Sequence, residues 1–172
     1  MFHVEPNFKY PVNKGKWLIV VLYFVLYGCI GARPTTQISD YILVPNGKEI
    51  VGQKSLTAFI FENNTKNLPI EKFLSEKFKT DNYSNNEFWI TIDKNKYKII
   101  VYDYSDFEKY FNSANYSVIN LEPETTTTRD QRKFIAISMI NNFNEDCLAE
   151  KSLFQSIAVN YLKKLKDEYY NQ

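Results

Sequence analysis

The sequence predicts an α+β fold: an antiparallel sheet of several strands, a short helix, and a long amphipathic C-terminal helix packed on one face of the sheet. Three observations predict it. Residues 88–92 and 97–102 are β-branched and aromatic runs joined by the polar turn 93–96, the pattern of a hairpin. Residues 56–61 (LTAFIF) and 133–140 are apolar at nearly every position, as strands buried on both faces are. Leu153, Phe154, Ile157, Ala158, Tyr161, Leu162, Leu165 and Tyr169 follow the 3.6-residue period of a helix, with Lys163, Lys164, Lys166 and Asp167 mostly on the opposite side.

The remaining elements follow in order. Residues 41–44 are a short apolar run. Pro45-Asn46-Gly47 is a turn signal, and residues 48–51 can return as a second strand. Asn63, Asn64 and Asn67 end the strand at 56–61. Pro69 suits the first turn of a helix because its ring fixes φ, and Ile70, Phe73, Leu74 and Phe78 then share one face. Ser105 and Glu108, three apart, read as a capping box. They open a short helix with Phe107, Tyr110 and Phe111 turned inward. Residues 116–121 form another strand, and residues 122–130 (EPETTTTRD) a polar, patternless loop. The last helix is expected over 147–169, with Asp146 or Asn144 as its cap. Tight turns between neighbouring strands imply antiparallel pairing, with the helices on one face.

One run lies outside this scheme. Residues 17–32 read WLIVVLYFVLYGCIGA, after a leading segment with Lys9, Lys14 and Lys16 against Glu5. A basic lead, an apolar core and small residues around position 29 are the parts of an export signal. Leu26-Tyr27-Gly28-Cys29 resembles the lipobox of bacterial lipoproteins. The resemblance covers residues 1–29 and implies cleavage before Cys29, with lipid carried on its sulfur. It further implies a location on the extracytoplasmic face of a bacterial membrane, with the outer membrane or cell surface favoured for a Gram-negative source. Under it, residues 1–28 are a signal peptide, 29–40 a lipidated cysteine and tether, and 41–172 a single α+β domain. Each buried methylene adds ~0.8 kcal/mol, so two or three chains on one cysteine hold a protein where one chain does not.

Other readings of the run stay open: an uncleaved membrane helix, a cleaved signal with a soluble product, or a buried core helix. Its sixteen residues reach ~24 Å as a helix, short of the ~30 Å hydrocarbon core. It also has no polar face to turn toward water.

Composition narrows the function. The chain has 21 Lys+Arg and 20 Asp+Glu, and without residues 1–28 it keeps 18 and 19. No basic stripe is present, so nucleic acid is not an expected partner. There is no polybasic patch for anionic lipid either, so the membrane is reached through Cys29. The one histidine is His3, which leaves residues 29–172 without the base of a Ser-His-Asp or Cys-His site, or a histidine ligand for zinc. Gly47 and Gly52 lie in a hairpin region, so no phosphate-cradling loop is expected. No cofactor and no metal are called for. Cys147 reads as a small buried apolar residue, and a Cys29–Cys147 bridge arises only if the lipobox reading fails.

Two constellations remain. Asp103 and Asp106 flank a strand-to-helix turn, where they are either a weak metal or acid/base pair or charges complementing the helix dipole. Tyr97, Tyr102, Tyr104, Phe107, Tyr110 and Phe111 are either a groove for a glycan or peptide, or core packing. The expected function is a membrane-anchored, non-catalytic domain that binds or supports an envelope protein, peptide or glycan. The alternatives are a carboxylate-based, glycan-cleaving enzyme and an inhibitor or immunity lipoprotein.

Overall fold

Five antiparallel strands form the centre of the molecule, with apolar material on both faces. The computed structural model describes residues 35–50, 54–64, 67–80, 86–118 and 132–172. The elements in order are β1 (Thr36–Ile38), β2 (Ile42–Val44), β3 (Ala58–Glu62), α1 (Ile70–Phe78), β4 (Glu87–Ile92), β5 (Asn95–Val101), α2 (Tyr104–Tyr110), a 3-10 turn (Ser113–Asn115), β6 (Tyr116–Val118), β7 (Phe134–Asn141) and α3 (Gln155–Tyr170). The main sheet has the order β2-β3-β7-β5-β4, and β1 pairs in parallel with β6 beside it. Pro34–Gln172 is one compact unit.

The α+β class and the antiparallel sheet are as the sequence predicts. The hairpin β4–β5 turns through Asp93 and Lys94, both at positive φ (48° and 69°), as a two-residue turn between twisted strands requires. β3 and β7 are buried on both faces, with register Phe59↔Ile137 to Glu62↔Phe134.

The two faces carry different cores. Phe59, Phe61, Ile135, Ile137, Met139, Tyr97, Ile99, Val101, Phe88 and Ile90 meet Ile70 and Leu74 of α1 and Ala158, Leu162, Leu165 and Tyr169 of α3. The opposite face gathers Ala58, Ile60, Tyr102, Phe134 and Ala136 against Phe107 and Phe111, with Ile38 of β1 closing one end. The expectation that helices cover one face is therefore corrected: α1 and α3 do, while α2 with the β1–β6 pair covers part of the other. The reason is in β3 and β7, where Ile60 and Phe134 alternate with Phe59, Phe61 and Ile135, so neither face can meet water.

Four local expectations change. The tether gives way by Thr36 to a strand, whose Ile38 is buried against the second core. Residues 48–50 do not return as a strand beside β2, and 51 lies outside the described residues. Instead β2 pairs with β3, and a bridge Glu49↔Ser55 stands alone. Asp103, not Ser105, caps α2: its Oδ1 accepts from the Asp106 N–H at 2.8 Å and from the Ser105 hydroxyl at 2.8 Å. Glu108 accepts instead from the Ser113 N–H at 3.2 Å.

The last helix starts at Gln155 rather than near 147. After β7 the chain doubles back, with the Asn141 side chain accepting from the N–H groups of Phe143 and Glu145 and Asn144 at φ 62°. Cys147 N–H then donates to Met139 O at 2.9 Å, and the Asp146 carboxylate accepts from the N–H groups of Thr57 (2.7 Å) and Leu148 (2.8 Å). Residues 145–147 thus take the place beside β7 that β3 leaves below Ala58. Leu153, read as core, is 93% exposed. The expected strand end at 119–121 and the loop 122–130 lie outside the described residues.

Candidate functional site

The aromatic cluster read from the sequence does not line one surface. Tyr97 points to the helical face, where it is buried edge-on to Phe154. Tyr102, five residues on, points to the opposite face, because an odd step along a strand reverses the side chain. Phe107 and Phe111 are buried with Tyr102, and Tyr110 packs half-buried against it. Tyr104 alone of the group is exposed, at 58%. What was read as a groove or a core is divided by the sheet, and most of it is packing.

Tyr102 is the centre of a directed polar chain. The Lys48 N–H donates to its hydroxyl at 2.9 Å. The Ser138 hydroxyl gives its one proton to Thr57 O at 2.8 Å, so Tyr102 must donate to Ser138 Oγ, 2.9 Å away. Burial pushes the Tyr102 phenol above its usual pKa, which keeps that proton in place. Gly47 is required beside it: a Cβ there would stand 2.3 Å from Tyr102 Oη and 2.9 Å from Leu56 O. The Lys48 ammonium lies 5.4 Å from the ring centroid and pairs with Asp106 at 2.5 Å. This chain ties the turn at 45–48 to the sheet, and it is structural.

The carboxylates behave alike. Asp103 and Asp106 come close, but one caps α2 and the other pairs with Lys48. The backbone hydrogen bond from Asp106 holds the Asp103 carboxyl below its ordinary range. Glu71, in the first turn of α1, forms a bidentate pair with Arg132 at 2.6 and 2.8 Å. Among the described residues there is no group of His, Cys, Asp and Glu able to hold a metal ion. Cys147 is fully buried, and burial followed by the nearby Asp146 and Glu145 charges pushes its thiol up to about 12. That is the inert buried thiol the sequence suggests.

A shallow cleft of about 100 Å³ opens beside α2, lined by Tyr104, Phe107, Glu108, Ser113, Arg132, Lys133 and Phe134. Small-molecule sites run to about 300–1,000 Å³, so it has room for a side chain or a few waters rather than a substrate.

The surface that the sequence reading passed over is on the β4–β5 hairpin. β4 alternates, with Phe88 and Ile90 buried and Glu87, Trp89 and Thr91 exposed. Trp89 is 57% exposed, with the Lys98 ammonium 5.0 Å from its ring centroid. Lys98 also pairs with Glu87 at 2.9 Å. The signal was legible: in EFWITI the tryptophan shares its parity with Glu87 and Thr91, not with the apolar residues.

Leu26, Tyr27, Gly28 and Cys29 lie outside the described residues. Among those described, no helix is long and apolar enough to cross a membrane. The chain matches no protein-family model, no curated protein and no solved structure.

Proposed function

We propose that this chain is a bacterial lipoprotein, held at the envelope by lipid on Cys29, whose folded unit binds or supports an envelope partner without catalysis. The observation that carries the reading is Leu26-Tyr27-Gly28-Cys29 at the end of an uninterrupted apolar run with a basic lead. Seven Cα-to-Cα steps separate Cys29 from Thr36, where β1 begins. At ~3.3–3.6 Å each they span at most about 25 Å, so the domain sits close to the lipid surface.

The described carboxylates support a non-catalytic role. Asp103, Asp106, Asp146 and Glu71 each hold a cap, a cation or backbone N–H groups. Asp103 shifts downward, against the direction a general acid needs. Exposed surface is what remains for function, and on the hairpin it is aromatic.

Metabolic labelling with a radioactive fatty acid tests the anchor. Label is expected on the wild-type chain and not on Cys29→Ala. An unlabelled wild type, or a mature N-terminus other than residue 29, overturns it.

A further inference from the structure

We propose that β4 is the contact edge of a homodimer, in which two copies pair their β4 strands antiparallel about a two-fold axis at Trp89. The inference concerns the folded unit and holds whether or not Cys29 carries lipid.

Among the described residues, β4 is the last strand of the sheet on its side. Asn86 O accepts the Val101 N–H at 2.8 Å, and the register then runs one-to-one from Glu87↔Ile100 to Ile92↔Asn95. In an antiparallel ladder, alternate residues turn their N–H and C=O groups to opposite neighbours. Residues 88, 90 and 92 therefore bond to β5, while Trp89 and Thr91 direct their backbone groups outward.

Proteins usually blunt such an edge by shortness, proline, a bulge or lysine. The opposite edge, β2, is blunted in this way: it is three residues long. β4 has six residues, no proline, no lysine and an unbulged register.

The sequence of β4 fits its own reverse. An axis at Trp89 sets Trp89 opposite Trp89 as a pair exchanging both N–H···O bonds. Glu87 of each copy then faces Thr91 of the other. Thr91 is backed on β5 by Lys96 of the same copy. Glu87, paired with Lys98 of its own copy, then has the Lys96 ammonium of the other copy as a further cation, two strand spacings or about 9.6 Å away between Cα atoms. Symmetry repeats the contact. The central row reads Lys98, Trp89, Trp89, Lys98, two indoles each under a cation. Two neighbouring axes are worse: centring on Glu87 opposes two carboxylates, and centring on Ile90 sets Glu87 against Asp93. The axis at Trp89 avoids both, and the interface is isologous, as a two-fold dimer requires.

Cysteine cross-linking of the full chain in envelope preparations tests this. Trp89→Cys is expected to give a disulfide-linked dimer on mild oxidation, because opposed Cα atoms in such a pair lie ~5.5 Å apart. Lys98→Cys, one strand further from the axis on each copy, is expected to give none. Cys147 is buried and takes no part, and any dimer through an unlipidated Cys29 is read from the wild-type chain and subtracted. Thr91→Pro removes an outward N–H, and Trp89→Lys sets like charges at the axis. Each should lower the dimer fraction by about ten-fold or more without lowering the melting temperature of the dilute chain. Equal cross-linking at 89 and 98, or a wild type that sediments as a monomer at micromolar concentration, overturns the proposal. So does cross-linking of Trp89→Cys to a different protein, which would give the edge to a foreign strand.

Discussion

The two faces of the sheet are built from the same strands and finished in different ways. On the helical face the inward positions of β3, β7, β5 and β4 are covered except at the hairpin end, Ile92 and Asn95, and Phe61, Ile137, Ile99 and Phe88 are all within 2% of full burial. On the other face the cover stops part-way. Ile60 and Tyr102 are roofed by α2 and β1, whereas Trp89 and Thr91 are open. The first face is closed by helices whose apolar stripe matches the sheet. The second is closed by one short helix, a three-residue parallel pair and a hydrogen-bond chain. The helical face holds the larger continuous core, and the other leaves Trp89 and Thr91 open to solvent.

Mutations on the two faces sharpen the contrast. Phe61→Ala on the helical face should cost about 3–5 kcal/mol by urea denaturation, since its ring is enclosed by Phe59, Tyr169 and Tyr170. Tyr102→Phe on the other face should cost about 1–3 kcal/mol, because the part-buried Lys48 N–H loses its acceptor and the buried Ser138 hydroxyl its donor. A cost near zero would mean that water fills the gap and the polar chain is dispensable.

The pH dependence divides similarly. The Cys147 thiol, on the helical face, has a pKa raised from 9.0 to about 12. Its contribution is full below pH 9 and is lost as pH rises toward 12, at about 1.4 kcal/mol per pH unit. Cys147→Ala should flatten the alkaline stability profile over that window. Asp103, below the other face, has a lowered pKa and acts with the opposite sign. Its cap is intact above its ordinary pKa of 3.8 and is lost as pH falls through the lower folded value. Asp103→Ala should cost about 0.5–2 kcal/mol at neutral pH, with the difference from wild type vanishing in acid. The smallest effect is expected at the open corner. Trp89→Ala should change the stability of the dilute chain by less than about 0.5 kcal/mol while weakening self-association.

Much of the fold was legible because its elements are locally consistent. The hairpin β4–β5, the doubly buried β3 and β7, and the face of α3 all follow from side-chain period. The failures share a cause. Helical period continued back through Leu153 and Phe154, but a side-chain carboxylate and an asparagine outbid it: Asp146 satisfies two backbone N–H groups and Asn141 closes the turn at 143–145. Tertiary hydrogen bonds of that sort have no period. β1 was invisible for a similar reason, since Thr36, Gln37 and Ile38 become a strand by pairing with residues 80 positions away. In the candidate site, the tyrosines were divided by strand parity, which the sequence did contain, and the same parity put Trp89 on the exposed side of β4 with Glu87 and Thr91.

β1 has a mechanical consequence. Under the proposed anchor, any tug between membrane and domain enters the fold at Thr36. The first thing it loads is a three-residue ladder to Tyr116–Val118, not the five-stranded sheet. A ladder that short is a natural fuse. Its release would give a few residues of slack, roughly 3.3 Å apiece, and uncover Ile38 while the five-stranded sheet stays paired.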